Sequence, residues 1–501
     1  MLNSNYVGIA YSTEKKYTDR KKKNWFRPDT QYPEMMFDAC SEHNQVYEAV
    51  REALHIYQMD NDNYGTDRWN PLGELIKPGD NVIIKPNLVM DYNQSNEGTE
   101  CLFTQPEVVA PIIDYILIAL KGEGGIIIGD APMQECNLEK LLEESGYNEM
   151  MEWYRKVGVE IKIVDFRGLT TQIDSKKRIG VRKQTISDNQ DGTVIDLADM
   201  SQFAKYDKEH LEKMRITNYS PDRLKEHHCP GRHEYFVSNY ILNADVVINM
   251  PKPKTHRKAG YTAAMKNMVG MNVRKEYLPH HTIGSVAEGG DEYKKKSLLR
   301  NIDDKLYDIK NTLEGKERYK AAKFVWYIAG GLKVLGNKVH HDEAEGNWYG
   351  NKTISKTIVD LNKILFYADK NGHIHDKIQR KTLNIGDMII SGEKEGPVAP
   401  SPKQIGAIII ASNAYIFDMG VGIMMGADAT NFPFAEDCKN ANESLPLCNY
   451  QDDELIYVSN DEKLNNKDIK SVSNELKWKF VPTKGCLLYT SPSPRDPKTS
   501  R

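Results

Sequence analysis

Short apolar runs and longer stretches with helical spacing alternate along the chain. Asn81–Ile84 (Asn-Val-Ile-Ile) predicts a buried strand, and it runs into Lys85-Pro86-Asn87. Pro106 opens a helix that continues to about Lys121, with Thr104 as its expected cap. Ile126-Ile127-Ile128 predicts the next strand, ending in Gly129-Asp130-Ala131-Pro132. A helix over Asn137–Val157 and a strand over Glu160–Val164 follow. Strand, helix, strand, helix, strand at these spacings predicts a parallel sheet with crossover helices.

The pattern elsewhere adds to this frame. Gln45–Met59 carries Val46, Val50, Ala53, Leu54 and Tyr57 at helical spacing. Thr193–Leu197 predicts a strand of an inserted antiparallel region, Glu234–Asn243 a helix, and Ala244–Ile248 a buried strand. Ala259–Val269 predicts a helix, Lys275–Tyr293 a loop, and residues 296–312, 318–335 and 352–368 three further helices. Strands are expected at Thr382–Ile390 and Ile405–Ala411, then a helix at Ala414–Met425 stopped by Gly426.

The fold class is therefore α/β: a mostly parallel sheet with crossover helices, plus helical and antiparallel insertions. We divide the chain into an N-terminal extension (1–75) and an α/β domain (76–290) with an insertion at about 170–230. A mainly helical insertion (291–370) and a C-terminal α/β part (371–485) that completes the sheet follow. Residues 486–501 are expected to be non-native. Cys486–Asp496 (CLLYTSPSPRD) reads as a translated sequencing-library adapter from a metagenomic fragment.

Charge and cysteine usage narrow the function classes. The 501 residues include 67 basic and 71 acidic side chains, a formal net charge of −4. That balance argues against general nucleic-acid binding. The basic run at Lys15, Lys16 and Arg20–Lys23 reads as a solvated arm. No N-terminal stretch resembles a signal peptide, and Val108–Leu120 is too short for the roughly 20 residues that span a bilayer. A cytoplasmic protein is expected. The seven cysteines include no C-x-x-C pair, so a cysteine-ligated iron–sulfur cluster is not expected.

In parallel sheets ligands sit beyond the carboxyl ends of the strands. Three such ends carry chemistry here: Lys85 with Asn87, Asp130, and the run Asn249–Gly270. That run holds Lys252, Lys254, His256, Arg257, Lys258 and Lys266. Converging lysines bind carboxylate or phosphate, and a lysine crowded by other cations can act as base or nucleophile. We assign catalysis to His256, Lys254, Asp130 and Glu395. Substrate binding falls to Lys85, Asn87, Lys252, Thr255, Lys266, Asn267 and His281. No metal is assigned, although Asp130, Glu393 and Glu395 are carboxylates that could hold a divalent ion. The cluster His227, His228, Cys229 and His233 matches no common metal spacing, and His280-His281 and His340-His341 are adjacent pairs that offer at most one ligand each to one site. No P-loop, G-x-G-x-x-G or G-x-S-x-G motif occurs.

Several of these pieces together resemble the DUF362 family. They are Ile84-Lys85-Pro86-Asn87, Thr104-Gln105-Pro106-Glu107, Ile128–Pro132, Ala244–Asn249, Lys252-x-Lys254-Thr255-His256, Met265-Lys266-Asn267-x-x-Gly270, Glu395-Gly396-Pro397, and Asp418 with Met425-Gly426. Some members of that family carry a fused ferredoxin module, for which this chain lacks the cysteines. The resemblance implies no settled reaction. A more distant likeness to nickel-pincer lactate racemases does not align motif by motif and transfers no roles. Three readings stay open: an enzyme acting on a small anionic substrate, a non-catalytic binding module for an anionic sugar or cofactor, and a metal-dependent redox or isomerase activity.

Overall fold

The computed structural model describes residues 2–483 except 3, 40, 42, 174–181, 187–189, 218, 340–343, 349, 430–432, 442 and 450. The expected adapter tail and the His340-His341 pair thus lie outside the described residues. The frame is a mixed sheet of eleven strands. They are β1 (Tyr6–Tyr11), β2 (Asn81–Pro86), β3 (Gly125–Asp130), β4 (Lys162–Asp165), β5 (Val246–Met250), β6 (Lys254–His256), β7 (Gly260–Thr262), β8 (Lys381–Glu395), β9 (Ala399–Ala411), β10 (Ile456–Ser459) and β11 (Lys467–Asp468). Their order is β11-β10-β1-β9-β8-β5-β2-β3-β4, with β6 added to β8 and β7 paired to β6. The run β8-β5-β2-β3-β4 is parallel, and β9 is antiparallel to both β8 and β1. The α/β class follows directly.

Both faces of the sheet are covered, which is why its strands read as continuous apolar runs. Alternate residues point to opposite faces. Val82, Ile84, Ile126, Ile128, Val246 and Ile248 meet helices α1 (Gln45–Ile56), α2 (Pro106–Leu120), α3 (Leu138–Glu144) and α4 (Tyr147–Lys156). Ile83, Val247 and Ile409 meet the other layer. That layer holds α5 (Ala264–Asn267), α8 (Thr353–Tyr367) and α9 (Ala414–Met425). Between α5 and α8 the chain forms a hairpin of α6 (Leu298–Gly315) and α7 (Tyr319–Val339). Among the described residues no helix is long and apolar enough to cross a membrane.

Three local expectations are corrected. The helix expected over Asn137–Val157 is two helices, because Gly146 takes a left-handed φ of 85° between them. The helix expected over Glu234–Asn243 is mostly strand. Arg232–Ser238 buries alternate side chains, His233, Tyr235 and Val237, and pairs antiparallel with Gly192–Asp196. Only Asn239–Leu242 is helical. The helix expected over Ala259–Val269 is divided between β7, drawn into a hairpin with β6, and the single turn α5.

Candidate functional site

Because β2, β3 and β5 run parallel, their carboxyl ends lie side by side. Lys85, on the last turn of pleat in β2, is fully buried. Its ammonium reaches Asp130 Oδ1 at 2.5 Å at the end of β3. Asp130 Oδ2 accepts from the Leu88 amide at 2.7 Å. Burial pulls the Lys85 ammonium below its ordinary pKa, and the Asp130 carboxylate partly restores it. Asn267 on α5 closes the group: its amide donates to Asn249 Oδ1 at 2.8 Å and to the Lys85 carbonyl at 3.1 Å. A Cβ at Gly270 would fall on Asp130 Oδ1 and Lys85 Nζ, so the spacing Lys266-Asn267-x-x-Gly270 is a packing requirement of this buried pair.

Lys252 and Lys254 leave β5 across Pro251 and Pro253, and both are fully buried. The Lys252 ammonium lies 3.0 Å from Asp387 Oδ2 and donates to the Tyr17 hydroxyl at 2.5 Å. Lys254 donates to Asn87 Oδ1 and to the Leu102 carbonyl, each at 2.6 Å. Burial, with Lys252 and Lys266 nearby, holds Lys254 well below the usual ammonium value.

Above these groups opens a cavity of about 340 Å³. Its polar lining includes Asn87, Asp130, His256, Lys258, Lys266 and His280. Among the described residues nothing accepts a hydrogen bond from the Lys266 ammonium or pairs with it. Burial, then Lys275, Lys85 and Lys258, lower its pKa to about 8. Lys258 donates to Thr217 Oγ1 at 2.7 Å.

The two histidines are set by the backbone. His256 Nδ1 accepts from the amides of Lys258 and Ala259, each at 3.1 Å, which leaves the ring proton on Nε2. His280 Nδ1 lies 2.6 Å from the Leu278 carbonyl, an acceptor, so its proton sits on Nδ1 and Nε2 is bare. Burial and the surrounding lysines keep both rings neutral: His256 lies well below the usual imidazole value, and His280 is pushed down to about 3. One ring is thus an N–H donor and the other an acceptor.

The profile of a domain of unknown function (DUF362) matches residues 82–189 and 180–421, well over half of the chain and including the polar cavity-lining residues named above. The chain belongs to the DUF362 family. It is also similar to a Synechocystis sp. protein named thylakoid-associated protein sll1697, 27% identical over 199 residues. That match spans 40% of this chain and 41% of the relative's own length.

Within this DUF362 chain the residues singled out by sequence take different places. Asn87, Asp130, His256, Lys266 and Asn267 line the cavity together. Lys85 and Lys254 stand directly behind that wall, bonded to Asp130 and Asn87. Lys252 is turned to Asp387, away from the cavity. Thr255 donates to the Lys394 carbonyl at 2.8 Å, and Glu395 pairs at 3.0 Å with Arg257, which itself lines the cavity. His281 faces a separate small cavity with Glu292 and Asp304, while its neighbour His280 faces the main one. Adjacent residues of an extended chain point to opposite sides, so only one of the pair could serve this site. Sequence reasoning also missed Asp387, whose signal was a lone carboxylate inside the apolar run Thr382–Ile390. Of the histidine cluster, His227 bonds Glu234 at 2.9 Å and His228 the Tyr277 carbonyl at 2.9 Å. Among the described residues no three His, Cys, Asp or Glu side chains are grouped to hold a metal ion.

Proposed function

We propose that the cavity beyond β2, β3 and β5 receives a small carboxylate or phosphate and that the protein acts on it as an enzyme. The unpartnered Lys266 ammonium carries this reading. A partly buried cation that no described residue pairs with is favourable to leave only where an anion completes it. Beside it, His256 offers a neutral N–H to an oxygen that gains charge, and His280 offers an acceptor to a hydroxyl or ammonium of the ligand. With a pKa of about 8, Lys266 is placed to exchange a proton near neutral pH, the role of a general base next to an acidified C–H or O–H. The Lys85–Asp130 pair and Lys254 hold the wall in place behind it.

The neutral histidines also favour a second reading, a binding module for an anionic sugar or cofactor, because locked rings grip a ligand without proton transfer. We place either protein in the cytoplasm; none of the described cysteines forms a disulfide, as a reducing compartment allows.

Titration calorimetry with inorganic phosphate and a panel of small carboxylates tests the site. Binding is expected in the wild type and a loss of about tenfold or more in Lys266→Met, the order of one charge-assisted contact. Equal affinity in the two proteins sinks the proposal. Proton NMR of the bound ligands in deuterium oxide then separates the readings. Exchange at carbon that Lys266→Met abolishes marks the enzyme, and ligand returned without exchange or conversion marks the binding module.

A further inference from the structure

Helix α6 has its amphipathic faces inverted. Arg300, Asp303, Lys310 and Glu314 are buried, whereas Leu298 is 76% exposed, Ile302 41% and Ile309 49%. With Lys305, these apolar residues form one stripe at i, i+4, i+7 and i+11. Arg215 Nη2, 2.9 Å from Asp308 Oδ2, ties the charged face inward, where Lys310 Nζ and Glu314 Oε2 of the helix itself also pair at 2.9 Å. Helix α7 packs against α6 and repeats the arrangement. Its small Ala322 and Ala329 are buried, and Phe324 is 68% exposed, with Tyr327 and Ile328 exposed beside it. Scattered exposed apolar residues are ordinary, but exposed apolar residues at helical spacing on both helices of a hairpin mark a surface that something covers.

The charge around this face says what covers it. Over residues 294–331 the exposed basic side chains are Lys294–Lys296, Lys305, Lys316, Arg318 and Lys320, against a single exposed acid, Glu317. The whole chain carries −4, so the positive patch is local. A second copy of the hairpin would set the same basic charge against itself, which disfavours self-association. We propose that the α6–α7 hairpin is a membrane-surface anchor, its apolar face entering the headgroup region of an anionic bilayer while the flanking lysines meet lipid phosphates. The protein lies on the membrane and does not cross it, in keeping with the absence of any spanning helix among the described residues.

The test uses the full chain and vesicles of phosphatidylcholine with or without phosphatidylglycerol. Co-sedimentation is expected only with phosphatidylglycerol present and should weaken as salt is raised. Two surface variants, Phe324→Ser with Ile328→Ser and Lys295→Glu with Lys305→Glu, should each lower partitioning about tenfold or more, with melting temperature unchanged. A blue shift of tryptophan emission, from Trp326 on α7, should accompany binding. Equal sedimentation with and without the anionic lipid overturns the proposal, as does wild-type partitioning of both variants. A dimer in analytical ultracentrifugation that the Phe324 variant abolishes would also overturn it, by placing a second copy on this face.

Discussion

Lysines that look alike in sequence differ here by what lies within 3 Å of them. Lys85 has Asp130, Lys252 has Asp387 and Tyr17, and Lys254 has two neutral oxygens. Lys266 has the cavity. A pH experiment distinguishes its role. The ammonium attracts an anion and the neutral amine does not, so affinity should be level below the Lys266 pKa of about 8 and fall as pH rises through it. Lys266→Arg, charged throughout that range, should flatten the profile; phosphate calorimetry from neutral to alkaline pH reads both. The sign for stability is the opposite. The folded protein holds this proton less tightly than the unfolded chain, whose lysine value is about 10.4, so folding gains stability as pH rises from about 8 towards that value.

At the scale of elements, the site depends on α5, a single turn too short to be stable alone. Its support comes from α9. Asp418, buried within that helix, accepts from the Ala264 amide at 2.6 Å and from the Met265 amide at 3.3 Å, the otherwise unsatisfied donors at the start of α5. Burial raises the Asp418 pKa well above the usual carboxylate value, with only these amides opposing it. Asp418→Ala should cost about 1–3 kcal/mol, the desolvation penalty of stranded buried donors. It should also weaken phosphate binding, because Lys266 and Asn267 ride on the same turn. Urea unfolding and calorimetry on one preparation check the pair of effects; lost stability with intact affinity would show that the turn holds its shape without the cap. Thr104 is another case of an element-level expectation redirected. It does not cap α2 but bridges strand ends, accepting from the Asn87 amide at 3.0 Å and donating to the Met250 carbonyl at 2.7 Å.

Across the whole molecule, one buried carboxylate ties four distant segments. Asp387 of β8 meets Lys252 after β5, the Tyr17 hydroxyl at 2.6 Å from the N-terminal stretch, and the Gln105 amide at 3.0 Å before α2. Strand β1 from that same N-terminal stretch lies between β9 and β10. Removing the carboxylate leaves Lys252 charged and buried, so Asp387→Ala should destabilise by about 3–5 kcal/mol, seen as a lower urea midpoint in a single transition. A midpoint like that of the wild type would mean Lys252 is already neutral in the folded protein. Apolar periodicity alone determined the parallel run β2-β3-β4 with its crossovers, the strand β5 and the helices α1, α2, α8 and α9, and so put Lys85, Asp130 and the Lys252–Gly270 stretch each at the carboxyl end of a strand; the pairing of β5 with β2 that brings them together is tertiary. Those signals are local, a period of two or of 3.6 residues read within one element. Which lysine stays open, which histidine of a pair faces the cavity and which side of α6 meets solvent were decided only in the tertiary structure. The deciding partners, Asp130 for Lys85, Asp387 for Lys252 and Arg215 for Asp308, lie tens to hundreds of residues away in the chain, and no local period records them.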